Sequence, residues 1–163
     1  MIWPHSPPPC GPWLGLTRGG ELDWLCPGAK PSVEGMARVR SPEEWLKQSD
    51  YDLGTAESMF QSGRYFYAVF MAHLSLEKAL KGLYQQRMGV VPPKTHDLLW
   101  LLDKMSVMPP PPVKDPLVRL NTASVVTRYP EDLEEIKRQF TAVITRGILD
   151  RAQECLEWIR RQF

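Results

Sequence analysis

The stretch RYFYAVFMAHLSLEKALKGLYQQRM, residues 64–88, decides the fold. Phe66, Val69, His73, Leu76, Leu80 and Leu83 recur in it at steps of three and four, the spacing that puts side chains on one stripe of an α-helix. Gly89 and then Pro92-Pro93 close the stretch, so the sequence predicts a long, central, mostly buried helix ending at Met88. Working back toward the N-terminus, Ser41-Pro42-Glu43-Glu44 offers a capping hydroxyl, a proline at the first helical position and a capping-box glutamate. Leu46, Ser49, Leu53, Ala56 and Phe60 then keep helical spacing up to a stop at Gly63.

Toward the C-terminus, Thr95 or His96 can open a short helix running through Met105, and the prolines from Pro109 to Pro112 predict an extended crossing after it. A further helix is expected over about 116–126, broken at Thr127-Arg128-Tyr129-Pro130, because a proline biases the residue before it away from helical angles. The last segment reads as one helix, with Glu131, Asp132, Glu134 and Glu135 in its first turns and Arg160 and Arg161 in its last, both favourable to the helix dipole. Its expected buried stripe is Leu133, Ile136, Phe140, Val143, Ile148, Cys155 and Ile159. No run alternates with the period of a strand and no internal repeat appears. The predicted fold class is all-α, an up-and-down bundle of four to five helices over residues 41–163.

Residues 1–35 differ in character, with seven of the 16 prolines, six of the 11 glycines and Trp3, Trp13 and Trp24 at no regular period. They are expected to form a disordered extension, and Met36 raises the expectation of a misplaced start. Pro7-Pro8-Pro9 favours polyproline II, though no basic anchor flanks a PxxP core.

Composition excludes several classes of function. A length of 163 residues suits one domain, and 43% hydrophobic against 24% charged residues is the profile of a folded globule. Twenty Lys and Arg against 19 Asp and Glu create no general attraction to nucleic acid or anionic lipid, so any such contact must be local. Three cysteines, Cys10, Cys26 and Cys155, contain no CxxC pair and argue against a disulfide framework or structural zinc, as befits a reducing compartment. Nothing approaches the roughly 18 apolar residues of a membrane span, and a cytoplasmic location is expected. No cofactor or metal site is legible.

Four short pieces carry a family resemblance: Gly63-Arg64-Tyr65 before the central helix, Glu77-Lys78-Ala79-Leu80-Lys81 within it, then His96-Asp97-Leu98, then Arg128-Tyr129-Pro130. Each is unspecific alone. In this order and spacing, over about 41–163, they resemble the HEPN domain family. The resemblance implies a helical bundle that pairs as a homodimer and is often encoded beside a small nucleotidyltransferase, with which it acts as a two-component module, in some cases a toxin–antitoxin pair. It also implies that many members are metal-independent ribonucleases using an arginine, four to six intervening residues and a histidine, brought together across the dimer interface. Here His73 and His96 each follow their nearest upstream arginine, Arg64 and Arg87, with eight residues between. The positions that should hold the histidine after Arg128 are Leu133, Glu134 and Glu135. The imidazole that would move a ribose proton is thus missing from that spacing, and a binding subunit is the expected function. A ribonuclease with a diverged site using His96 and Arg128, and a purely structural adaptor, are the alternatives.

Individual residues admit two readings each. His73 on the apolar stripe reads as a hydrogen-bonded core residue before a ligand. Glu77 and Lys81, acid first and four apart, suffice as a surface pair. Yet Lys78 and Lys81 with Arg128 are the one basic locus that could meet a phosphate of a nucleotide or RNA. His96 could cap amide groups at a helix start or face a ligand. Arg128 could satisfy the carbonyls ending a helix or receive an anion, and Tyr129 could lay its ring on the core. The expected ligand-binding set is Lys78, Lys81, His96, Arg128 and Tyr129.

Overall fold

The structure, a computed structural model, describes residues 40–163; the expected disordered extension over 1–35 lies outside the described residues. Six helices and no strand occupy the described residues: α1 (Pro42–Gln61), α2 (Tyr65–Met88), α3 (Leu98–Lys104), α4 (Pro111–Arg128), α5 (Leu133–Gln139) and α6 (Ala142–Arg160). The all-helical bundle read from the sequence is the observed fold.

Local signals set the first two helices. Ser41 Oγ accepts the Glu44 amide and Pro42 occupies the first helical position, as its locked φ and missing N–H favour. Gly63, at φ +70°, turns the chain between α1 and α2, and Gly89, at φ +68°, ends α2; both sit in the left-handed region where a side chain is strained. The resulting hairpin is the closest packing in the molecule, because α2 turns small residues toward α1. A Cβ on Gly82 would stand 3.0 Å from both the Pro42 carbonyl oxygen and Trp45 Cβ. Ser49 and Ser75 meet across the same seam with their hydroxyls 3.1 Å apart and buried.

Helix α2 touches all five other helices, so it is buried on nearly every side from Ser75 to Leu83. Leu76, Leu80, Leu83, Leu98, Leu101, Leu117, Leu156 and Ile159 form the fully buried heart of the core around it.

Three expectations need correction. The short third helix starts at Leu98, capped by Asp97, whose carboxylate accepts the Leu99 and Trp100 amides; neither Thr95 nor His96 begins it. Helix α4 begins at Pro111, not near Pro116, and the proline run is its first turn and not an extended crossing. The prolines lack only N–H groups that a first turn leaves unpaired in any case, and Pro116 follows in the second turn. The last segment is two helices, not one. The chain breaks at Phe140 (φ −105°, ψ 78°), and Thr141 caps α6 by accepting the Ile144 amide. That break resets the phase of the buried stripe: Leu133 and Val143 are exposed, while Thr145, Leu149, Ala152, Cys155, Leu156 and Ile159 turn inward.

Candidate functional site

Glu77 sits in the middle of α2, four residues after His73 and four before Lys81, so all three side chains leave the helix along one row. The row faces the ends of two other elements, the approach to α3 and the C-terminus of α4. Glu77 is 4% exposed and Lys81 8%, so the pair taken for a surface bridge is buried. Lys81 Nζ donates to Glu77 Oε1 at 2.7 Å, and His96 Nδ1 stands 2.8 Å from Glu77 Oε2. Arg128, the last residue of α4, brings Nη2 to 3.8 Å from the same Oε2. Four groups from three parts of the chain therefore gather on one carboxylate.

Burial by itself would raise the Glu77 carboxyl, but the hydrogen bonds from Lys81 and His96 and their nearby charge outweigh it and hold the group below the usual glutamate range. The carboxylate is the fixed anion of the cluster. Lys81 and Arg128 supply two formal positive charges against its one. Arg128 Nη2 is buried without a hydrogen-bond partner among the described residues, while the guanidinium carbon lies 5.4 Å from the centre of the Phe70 ring, a cation–π contact. Donor capacity is left over at Arg128. The His96 side chain is 60% exposed, so with Nδ1 turned to Glu77 its other ring nitrogen is open to solvent at the edge of the cluster.

His73 completes the row from beneath and is fully buried. The expected hydrogen-bonded core histidine is not what the structure contains: neither ring nitrogen has a partner among the described residues. Burial pushes its pKa down to about 4, with Arg128 and His96 adding to the drop and Glu77 opposing it, so the ring is neutral at physiological pH.

Of the residues expected to bind a ligand, Lys81, His96 and Arg128 come together. Lys78 does not join them, because one helical step turns it toward α1, where Nζ pairs with the buried Asp52 at 2.6 Å. Tyr129 is 81% exposed, so its ring does not lie on the core. Glu77 is the residue that the sequence reading missed as the organiser. Its signal was its register, since a charge four residues after His73 and three before Leu80 falls on the buried stripe. Among the described residues no three His, Cys, Asp or Glu side chains gather to hold a metal ion. Cys155 is buried, with its thiol pushed up to about 12 by that burial, and is not poised as a nucleophile.

Glu77, His96 and Arg128 belong to three separate sequence pieces that meet here in space, and a HEPN domain family model matches residues 42–162. The chain belongs to the HEPN domain family. Among solved HEPN-like folds, the crystal structure of TT1696 from Thermus thermophilus is similar at 28% identity and a TM-score of 0.66, covering 75% of this chain and 98% of that one. The crystal structure of ST0689, described as an archaeal HEPN homologue, is similar at 27% identity and a TM-score of 0.62, covering 76% of this chain and 98% of that one. No curated protein matches the sequence. No helix of this HEPN chain, among the described residues, is long and apolar enough to cross a membrane.

Proposed function

We propose that this HEPN chain is a cytoplasmic binding subunit that dimerises, partners a small nucleotidyltransferase and receives a phosphate-bearing ligand, a nucleotide or an RNA end, at the Glu77 cluster. The observation that carries the reading is the unequal charge of that cluster. One carboxylate serves Lys81, His96 and Arg128, leaving Arg128 with an unmatched buried donor and His96 open at the rim. An anion approaching between His96 and Arg128 would complete the guanidinium's hydrogen bonding in a partly dehydrated setting, where a charge-assisted bond is strong. The carboxylate holds the donors in place for it. Calorimetric titration of the full chain with AMP and ATP tests the site. Saturable binding that is lost in Arg128→Ala, while the variant keeps its helical content, supports it; binding indifferent to Arg128, or none, counts against it. Co-expression with a nucleotidyltransferase encoded beside the chain tests the partner, stable co-purification being the expected result.

A second reading is favoured by one contact. With Nδ1–H donated to Glu77, the far nitrogen of His96 presents a lone pair, the arrangement of a carboxylate-oriented general base. Against RNA such a ring would take the 2′-hydroxyl proton as that oxygen attacks the adjacent phosphorus and the 5′ oxygen departs with a proton, Arg128 facing the phosphate. Incubation of the protein with RNA in chelator separates the two readings. Cleavage abolished by both His96→Ala and Arg128→Ala would replace the binding subunit with a ribonuclease.

A further inference from the structure

Exposed apolar side chains concentrate on one side of the molecule, away from the α1–α2 hairpin. Val125 and Val126 near the end of α4, Tyr129 and Leu133 around the following turn, and Val143 and Ile144 at the start of α6 are all between 44% and 84% exposed. Beside them α4 and α6 leave a groove of about 600 Å³. Leu120, Ala123 and Ile148 line it, with Arg119 and Arg151 among the charged residues that also line it. Gly147 also lines this groove, and nothing lies within 4 Å of where its Cβ would be. A mid-helix glycine weakens a helix, and the fold gives no steric reason for this one; it keeps the groove open.

Charge identifies the occupant. Arg119 forms no salt bridge among the described residues, in contrast to Arg151, which is held by Glu154 at 2.7 Å. The turn Tyr129-Pro130-Glu131-Asp132-Leu133-Glu134 is the complement: two exposed apolar side chains among three exposed acids. Two of those acids are engaged, Asp132 in capping α5 and Glu134 with Lys137. Glu131 has no partner among the described residues.

We propose that the α4–α6 groove receives the 129–134 turn of a second copy of this chain, in a twofold pair that sets Arg119 of each copy against Glu131 of the other. In an antiparallel pair of α4 helices, positions equally far before and after the axis meet. An axis at Val125 brings 119 opposite 131 and buries Val125 and Val126 where they are most exposed. Each copy supplies one groove and one turn, so the contact closes at two and does not propagate. The inference rests on the dimer of the proposed function and assigns its surface.

The test is light scattering on size-exclusion peaks of the full chain over a concentration series, for the wild type, Arg119→Glu, Glu131→Arg, the double charge exchange and Gly147→Leu. All substituted positions are exposed, and circular dichroism checks that each variant folds. The wild type is expected to be a dimer. Each single change should weaken the dimer at least tenfold, Gly147→Leu by filling the groove, and the double exchange should recover it. A wild-type dimer that withstands all three single changes, or a double exchange that stays as weak as its parents, overturns this docking while leaving the dimer itself standing. A wild type that is monomeric throughout the series overturns both.

Discussion

The two sides of α2 achieve burial by opposite means. Toward α1 the helix offers Ala and Gly, and the packing is so close that Gly82 has no room for a methyl group. Toward α3 and α4 it buries Glu77 and Lys81 and, with Arg128, closes charge upon charge. The first side is held by shape, and any polar atom in it is matched symmetrically, as Ser49 is by Ser75. The second is held by one carboxylate whose partners come from distant parts of the chain. Close packing is a self-sufficient solution to folding; a charged knot with a donor to spare is a costly one, and its retention fits a region kept for binding.

That contrast is most severely tested at Glu77. Replacing it with Ala leaves Lys81 and Arg128 buried without their counter-charge, and the expected loss is about 3–5 kcal/mol in urea unfolding, comparable to removing a core leucine. A loss under about 1 kcal/mol would show that the cluster hydrates freely and that the two sides do not differ in kind.

Next in size is the acid sensitivity of the polar side. His73 has its folded pKa depressed to about 4 from 6.5, so the unfolded chain binds its proton first. The stability it contributes is fully present above pH 6.5 and is lost as pH falls toward about 4, at up to about 1.4 kcal/mol per pH unit. Glu77, whose folded pKa is also depressed, adds a loss only at lower pH, below the unfolded glutamate value of 4.5. Melting curves of the wild type and His73→Leu between pH 7 and about 5, above the carboxylate range, should therefore diverge, the variant losing much of the slope. Parallel curves would mean that the ring is protonated in the fold.

The smallest effect probes the close-packed side. Gly82→Ala gains helix propensity but drives a methyl group into the Pro42 carbonyl and Trp45, so a net loss of about 1–3 kcal/mol is expected. An unchanged or raised melting temperature would show that the hairpin can open by a few tenths of an ångström at no cost, and that shape does not hold this seam.

Much of the bundle was legible in the sequence because its signals are local. Ser41 with Pro42, Gly63 and Gly89 fix helix ends through their own backbone chemistry, and the tyrosine before Pro130 ends α4 as a pre-proline residue should. The proline run misled because proline breaks a helix interior yet starts one well, and only neighbours decide which. The break at Phe140 was hidden because apolar spacing carries across it. For the site, His96 and Arg128 were singled out through the family resemblance, and Lys81 through its charge. What could not be read was that all three share Glu77. An acid and a lysine four apart look alike on a surface and in an interior, and burial is decided by what α3 and α4 lay over them.

The claim that one carboxylate unites the cluster is tested most directly by a double-mutant cycle in urea between Glu77→Gln and Arg128→Met, side chains joined across elements at 3.8 Å. A shared site predicts a coupling of about 1 kcal/mol or more between them. Additivity within about 0.3–0.5 kcal/mol would show that Arg128 stands near Glu77 without depending on it, and would contradict the account.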